Sequence, residues 1–158
     1  MKKCLILLFI MAILLLSGCS EKPNIPSIDN IKTINLNLNM ASNSIPPLHL
    51  NDSRDKETIM KVLGWLNASQ LVGEDKAHVI PKGGGPTVLE IELENGDYVY
   101  IEPALDSITS KLANGSTLIE MHPVNDQIVF KNKEAAVRLN SPELYAWISG
   151  GWKEDLKL

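Results

Sequence analysis

Cysteine is nearly missing from this chain of 158 residues; there are two, Cys4 and Cys19, and none follows. From residue 20 onward a disulfide, thiol catalysis and a thiolate metal site are therefore excluded, and stability has to come from an apolar core. Histidine is also scarce. His49, His78 and His122 are the three present, no two of them stand four apart, and no His-Glu-x-x-His run occurs. There is no Gly-x-Ser-x-Gly, and no serine reads as sitting in a sharp strand-to-helix turn, so serine hydrolase chemistry has no visible nucleophile. Aromatic residues make up 5% of the chain, and basic residues do not exceed acidic ones: 15 Lys and Arg stand against 19 Asp and Glu. A net acidic chain without a basic stripe argues against nucleic acid as a partner. The longest apolar run, from Leu5 to Leu16, is too short to cross a bilayer as a helix.

What is present is organised around that run. Met1-Lys2-Lys3 gives a basic start, the apolar stretch follows, and Leu16-Ser17-Gly18-Cys19 ends it before the chain turns polar at Ser20. Charged start, short apolar centre and small residues at the end are the layout of an export signal. Leu-Ser-Gly-Cys resembles a lipobox, and the segment is similar to the signal peptide of a bacterial lipoprotein. The resemblance implies cleavage after Gly18 and a diacylglyceryl group on the Cys19 thiol. It further implies a membrane partner held through that lipid, on the extracytoplasmic side. Ser20, which is not Asp, implies the outer membrane in a double-membraned host; in a single-membraned one the site is the outer leaflet of the cell membrane. An uncleaved anchor, or an ordinary signal with a chance cysteine, are the other readings of these residues. Two acyl chains contribute on the order of 20 kcal/mol of membrane attachment at about 0.8 kcal/mol per methylene. Loss of residues 1–18 removes Lys2 and Lys3 and leaves 140 residues with net charge −6, too few for a two-lobed solute-binding subunit. The rest of the chain resembles small extracytoplasmic lipoproteins in architecture only, which transfers no functional residue.

Residues 19–30 read as the lipidated cysteine and a flexible tether, with Pro23 and Pro26 among small polar residues. Residues 31–158 read as one α+β domain, a mostly antiparallel sheet of five or six strands with two main helices on one face. Ile34, Leu36, Leu38 and Met40 alternate with asparagines as a half-buried strand. Asp52 or Ser53 caps a helix whose apolar face is Ile59, Val62, Leu63 and Leu66. Residues 73–86, with Lys82-Gly-Gly-Gly-Pro86, read as a loop; Lys82 stands before the glycines, a proline closes them and a strand follows, where a phosphate cradle needs a helix after the glycines.

The next segment is a hairpin around Asn95-Gly96. A two-residue turn would put Val99 and Ile101 on the face of Glu90 and Glu92. A three-residue loop with Gly96 left-handed instead pairs Ile91 with Val99 and Leu89 with Ile101, and burial selects it. Leu105, Ile108 and Leu112 suggest a short helix or an irregular connection over 104–116. Segments 117–121 and 127–131 read as a hairpin about Pro123-Val-Asn-Asp126. Ala135, Val137 and Leu139 read as the last strand. Ser141 as N-cap, Pro142 at the first position and Gly150-Gly151 as stop define a C-terminal helix.

The favoured register sets Tyr98 opposite Glu92 and Tyr100 opposite Glu90 on the outer face. Tyrosine beside carboxylate is a stacking platform with acceptors, suited to a sugar ring or a cationic group. A non-enzymatic module binding an unknown protein or cell-envelope ligand through these four residues is the expected function, with no cofactor, no metal and no catalytic residue. The alternative is a small hydrolase or metal site built on Glu120 and His122, which share one strand face.

Overall fold

In the computed structural model the described residues are 22–38, 45–75 and 87–156. Residues 1–21 with Gly18 and Cys19, Met40, His78 and the Gly-rich stretch lie outside them. Among these residues seven strands form one antiparallel sheet: β1 (Ile31–Asn37), β2 (Leu48–His49), β3 (Gln70–Glu74), β4 (Val88–Leu93), β5 (Tyr98–Lys111), β6 (Thr117–Lys131) and β7 (Ala136–Asn140), in the order β2-β1-β4-β5-β6-β7-β3. The expectation of five or six strands is corrected to seven. The two additions are the sheet edges. β2 has only two residues, and β3 alternates between exposed and half-buried, so neither carries an apolar period long enough to read.

Burial sets the register. Leu36, Leu89, Ile101, Phe130 and Val137 are cross-strand partners in one row over β1, β4, β5, β6 and β7, and all five are buried. Ile34, Ile91 and Val99 form the next row, and Ile128 with Leu139 another. At about 25 cal/mol per Å² of apolar surface, each such side chain contributes roughly 1.5–3 kcal/mol. The same cluster takes in Ile59, Val62, Leu63 and Leu66 of the helix α1 (Ser53–Ala68), together with Leu144, Trp147, Ile148 and Trp152 near the C-terminus. Asp52 caps α1, accepting from the backbone N–H groups of Arg54 (2.8 Å) and Asp55 (3.1 Å). Those two bonds hold its carboxyl below the usual range.

Three expectations about the second half are corrected. First, residues 104–111 are strand: β5 runs unbroken to Lys111 and pairs with β6 down to Lys111–Thr117. The turn that joins them repeats the first hairpin. In Leu93-Glu-Asn-Gly-Asp97 the Leu93 N–H donates to Asp97 O and the Gly96 N–H to Leu93 O; in Leu112-Ala-Asn-Gly-Ser116 the Leu112 N–H donates to Ser116 O and the Gly115 N–H to Leu112 O. Both glycines have positive φ, 83° and 84°, which a side chain tolerates poorly. The helical spacing of Leu105, Ile108 and Leu112 is overridden by this pairing.

Second, Pro123–Asp126 is no reversal. Pro103 pairs with Ile128 and Leu105 with Pro123, so Val124–Gln127 oppose Ala104 alone and β6 bulges. Asp126, at φ 64°, is the one described non-glycine residue with positive φ, and its carbonyl accepts from the Ser141 N–H at 2.8 Å. Beyond this bulge β5 and β6, among the described residues, pair as strands only with each other, and the ribbon projects with Ile108, Leu112, Leu118 and Ile119 exposed.

Third, the C-terminal helix does not stop at its glycines. α2 (Pro142–Ala146) passes into a π-helical segment, Trp147–Gly151, broken at Gly150, and resumes as α3 (Trp152–Asp155). Ser141 makes no side-chain cap; its hydroxyl lies 3.5 Å from Trp65 O. The C-terminal helical segment is instead fastened by Asp155, which accepts from Lys61 Nζ (2.7 Å) and Trp147 Nε1 (2.8 Å).

Phe130→Ala, at the centre of the long row, is expected to cost about 3–5 kcal/mol in urea unfolding. Ser141→Ala is expected to cost well under the ~1 kcal/mol of a working cap; a full-sized loss would mean that its hydroxyl caps α2 after all.

Candidate functional site

The outer face follows from the inner one. With Ile101 inward, its neighbour Tyr100 points outward, and the row Asn35, Glu90, Tyr100, Lys131, Ala136 crosses five strands beside the buried row. One step along lie Thr33, Glu92 and Tyr98. The structure brings together all four residues singled out in the sequence. Glu90 pairs with Tyr100 and Glu92 with Tyr98. The two tyrosine rings are stacked, centroids 6.2 Å apart and planes inclined by 19°, and they are 41% and 39% exposed.

The carboxylates are occupied from the far side. Glu92 accepts from Lys32 Nζ at 2.6 Å and Thr33 Oγ1 at 3.2 Å. Glu90 accepts from Asn35 Nδ2 at 3.2 Å and Asn37 Nδ2 at 3.5 Å. The Lys32 hydrogen bond, ahead of the opposing effect of burial and the bond from Thr33, holds the Glu92 carboxyl below its ordinary range. The asparagines that alternate along β1 thus serve as partners for β4. On the other side of the tyrosines, Lys131 pairs with Glu102. The face is therefore mixed in charge and rich in fixed hydrogen-bonding groups around two accessible rings. Such a surface can stack a planar or pyranose face and hydrogen-bond its rim.

Comparison with known proteins yields no relative. No family model matches the chain, and no curated protein and no solved structure matches it significantly.

Glu120 and His122 lie elsewhere, on one face of the projecting ribbon. Their side chains are 3.6 Å apart and each is 54% exposed. Asp106, the cross-strand partner of His122, is engaged by Arg138 Nη1 at 2.7 Å. Among the described residues no three His, Cys, Asp or Glu side chains gather as a metal site. Residue-by-residue reading missed two features. One is Arg138, which also donates to Asp75 Oδ1 (2.9 Å) and Leu105 O (2.8 Å) and so ties β7 to the base of the ribbon. Its position between Val137 and Leu139 marked it as outward-facing, but its partners are distant in sequence. The other is a recess of about 380 Å³ beside Tyr98, lined among others by Asn24, Asn30, Asn95, Asp97 and Lys133. Asn95 and Asp97 belong to a turn the sequence does show; the segment that walls the recess opposite does not announce its position.

Because Glu92 has a depressed folded value, its contribution to stability is full above the unfolded carboxyl pKa and is lost as pH falls through the folded one. Lys32→Ala is expected to move the Glu92 titration up toward the ordinary glutamate value of about 4.3, followed by carbon-detected NMR of the carboxyl. An unmoved midpoint would mean that the ion pair does not persist in solution.

Proposed function

We propose that this chain is a lipid-anchored extracytoplasmic binding module that recognises its ligand on the outer sheet face and does not transform it. In this reading Cys19 carries the lipid, both helical segments cover the inner face, and Tyr98 and Tyr100 meet the ligand between Glu90 and Glu92. The observation that carries it is the exposed tyrosine pair, 6.2 Å between centroids, on a face whose strands are held in register by a buried row behind it. Two rings of this size left open to solvent among hydrogen-bonded carboxylates form a ready contact surface for a sugar ring or a cationic group. Localisation rests on residues 16–19 and the resemblance they carry.

Two measurements test it. Cys19→Ala is expected to abolish lipid labelling and leave an unprocessed precursor; an unchanged mature mass with retained membrane partition would refute the lipid anchor. Against a panel of oligosaccharides and quaternary amines, the intact protein is expected to bind one class. Tyr98→Ala with Tyr100→Ala should weaken that binding by about tenfold, or ~1.4 kcal/mol. Exposed truncations of this kind cost under about 0.5 kcal/mol of stability each. Undiminished binding by a well-folded double variant would remove the face from consideration.

A further inference from the structure

The segment that follows the lipobox is fastened to the domain from Lys22 onward. Lys22 Nζ donates to Asn67 O at 2.7 Å and to Ser69 O at 2.8 Å. Those carbonyls belong to the last turn and C-cap of α1, where unpaired carbonyls and the negative end of the helix dipole favour a cation. Ile25 and Ile28 pack against the core, and Asn24 and Pro26 wall the recess beside Tyr98. Residues 22–30, which read as tether, therefore continue the domain. Only Ser20 and Glu21 separate Lys22 from Cys19, and at no more than ~3.6 Å per residue they reach about 11 Å.

We infer that the lipid on Cys19 holds the domain in one orientation, with a fixed end against the bilayer headgroups. This inference rests on the proposed lipidation. The end in question is formed by Lys22, Asn24, the β4–β5 turn at Asn95 and the β6–β7 turn at Lys133 and Glu134, all brought together around two adjoining recesses. It carries Glu94, Asp97 and Glu134 as well as its lysines, so proximity comes from the short connection and not from attraction to anionic lipid. β5 leaves this end at Tyr98 and arrives at the ribbon tip thirteen residues later. At ~3.3 Å per residue the tip lies up to about 40 Å along the strand from the bilayer side. The tyrosine pair is close to the headgroups, and the apolar ribbon is the part most remote from them.

The chain suits a direct test, because no cysteine follows Cys19. Glu134→Cys and Ala113→Cys, both exposed positions, would be labelled separately with a fluorophore in the full-length lipidated protein. Each would be reconstituted into phosphatidylcholine vesicles bearing a headgroup quencher. Strong quenching at position 134 and little at 113 is the expected result. A flexible ten-residue Gly/Ser insertion between Glu21 and Lys22 should then reduce the quenching at 134 severalfold without changing the unfolding midpoint. Equal quenching at both positions, stronger quenching at 113, or indifference to the insertion would overturn the inference. The mass of the purified protein distinguishes the two ideas: a lipidated protein that shows no orientation refutes the inference alone, whereas a protein without lipid refutes the anchor as well.

Discussion

A single row of buried side chains, Leu36, Leu89, Ile101, Phe130 and Val137, fixes nearly everything else in this molecule. It crosses five strands, and each strand alternates its faces with a period of two. A slip of one position anywhere along it would turn an apolar set outward and a polar set inward. The hydrogen-bonded asparagines of β1, the carboxylates of β4 and the tyrosines of β5 are aligned because their neighbours are required inside. The outer face with its tyrosine pair is thus a by-product of core packing, which explains how a chain with so few aromatic residues comes to place two of them together.

The row was legible because its members alternate within short segments. Leu89, Ile91, Val99 and Ile101 indicated the register of the first hairpin, and the positive φ of Gly96 agrees with it. The second hairpin carries the same Leu-x-Asn-Gly signature, but the outward residues around it, Ile108, Leu118 and Ile119, are apolar, and the period that marks a half-buried strand vanishes. Pro123-Val-Asn-Asp126 has the composition of a turn and does bend the chain, yet as a bulge: turn chemistry specifies local backbone, while the strand partner decides whether the direction reverses. Edge strands such as Gln70–Glu74 are invisible for a related reason, since their burial is conferred by a partner far away in sequence. Contacts of that kind also hide Lys22 on the end of α1 and Arg138 between Asp75 and Asp106.

Electrostatics here mostly fasten things. Asp155 joins α1 to the C-terminal segment through Lys61 and the Trp147 indole. Lys61 also lies 5.1 Å from the Trp65 ring centre, and Trp65 in turn meets Trp147 at 6.3 Å. Such half-exposed pairs contribute little singly, but those of Lys61 with Asp155 and Trp65 with Trp147 join α1 to the C-terminal segment. Lys133 with Asp97 links two turns at one end of the sheet.

The strand order has a consequence in time as well as in space. β1 finds its main partner in β4 only after some fifty to sixty intervening residues, and β3 remains an unpaired strand until β7, about seventy positions later, has been made. Topologies dominated by such distant pairings fold slowly, because loop closure must precede most of the stabilising contacts. The central β4-β5-β6 meander is the local part of the sheet and is the natural first element to assemble, with both edges and the helices joining afterward. A chain released before β7 would leave β3 and one side of β6 open to pairing with other chains.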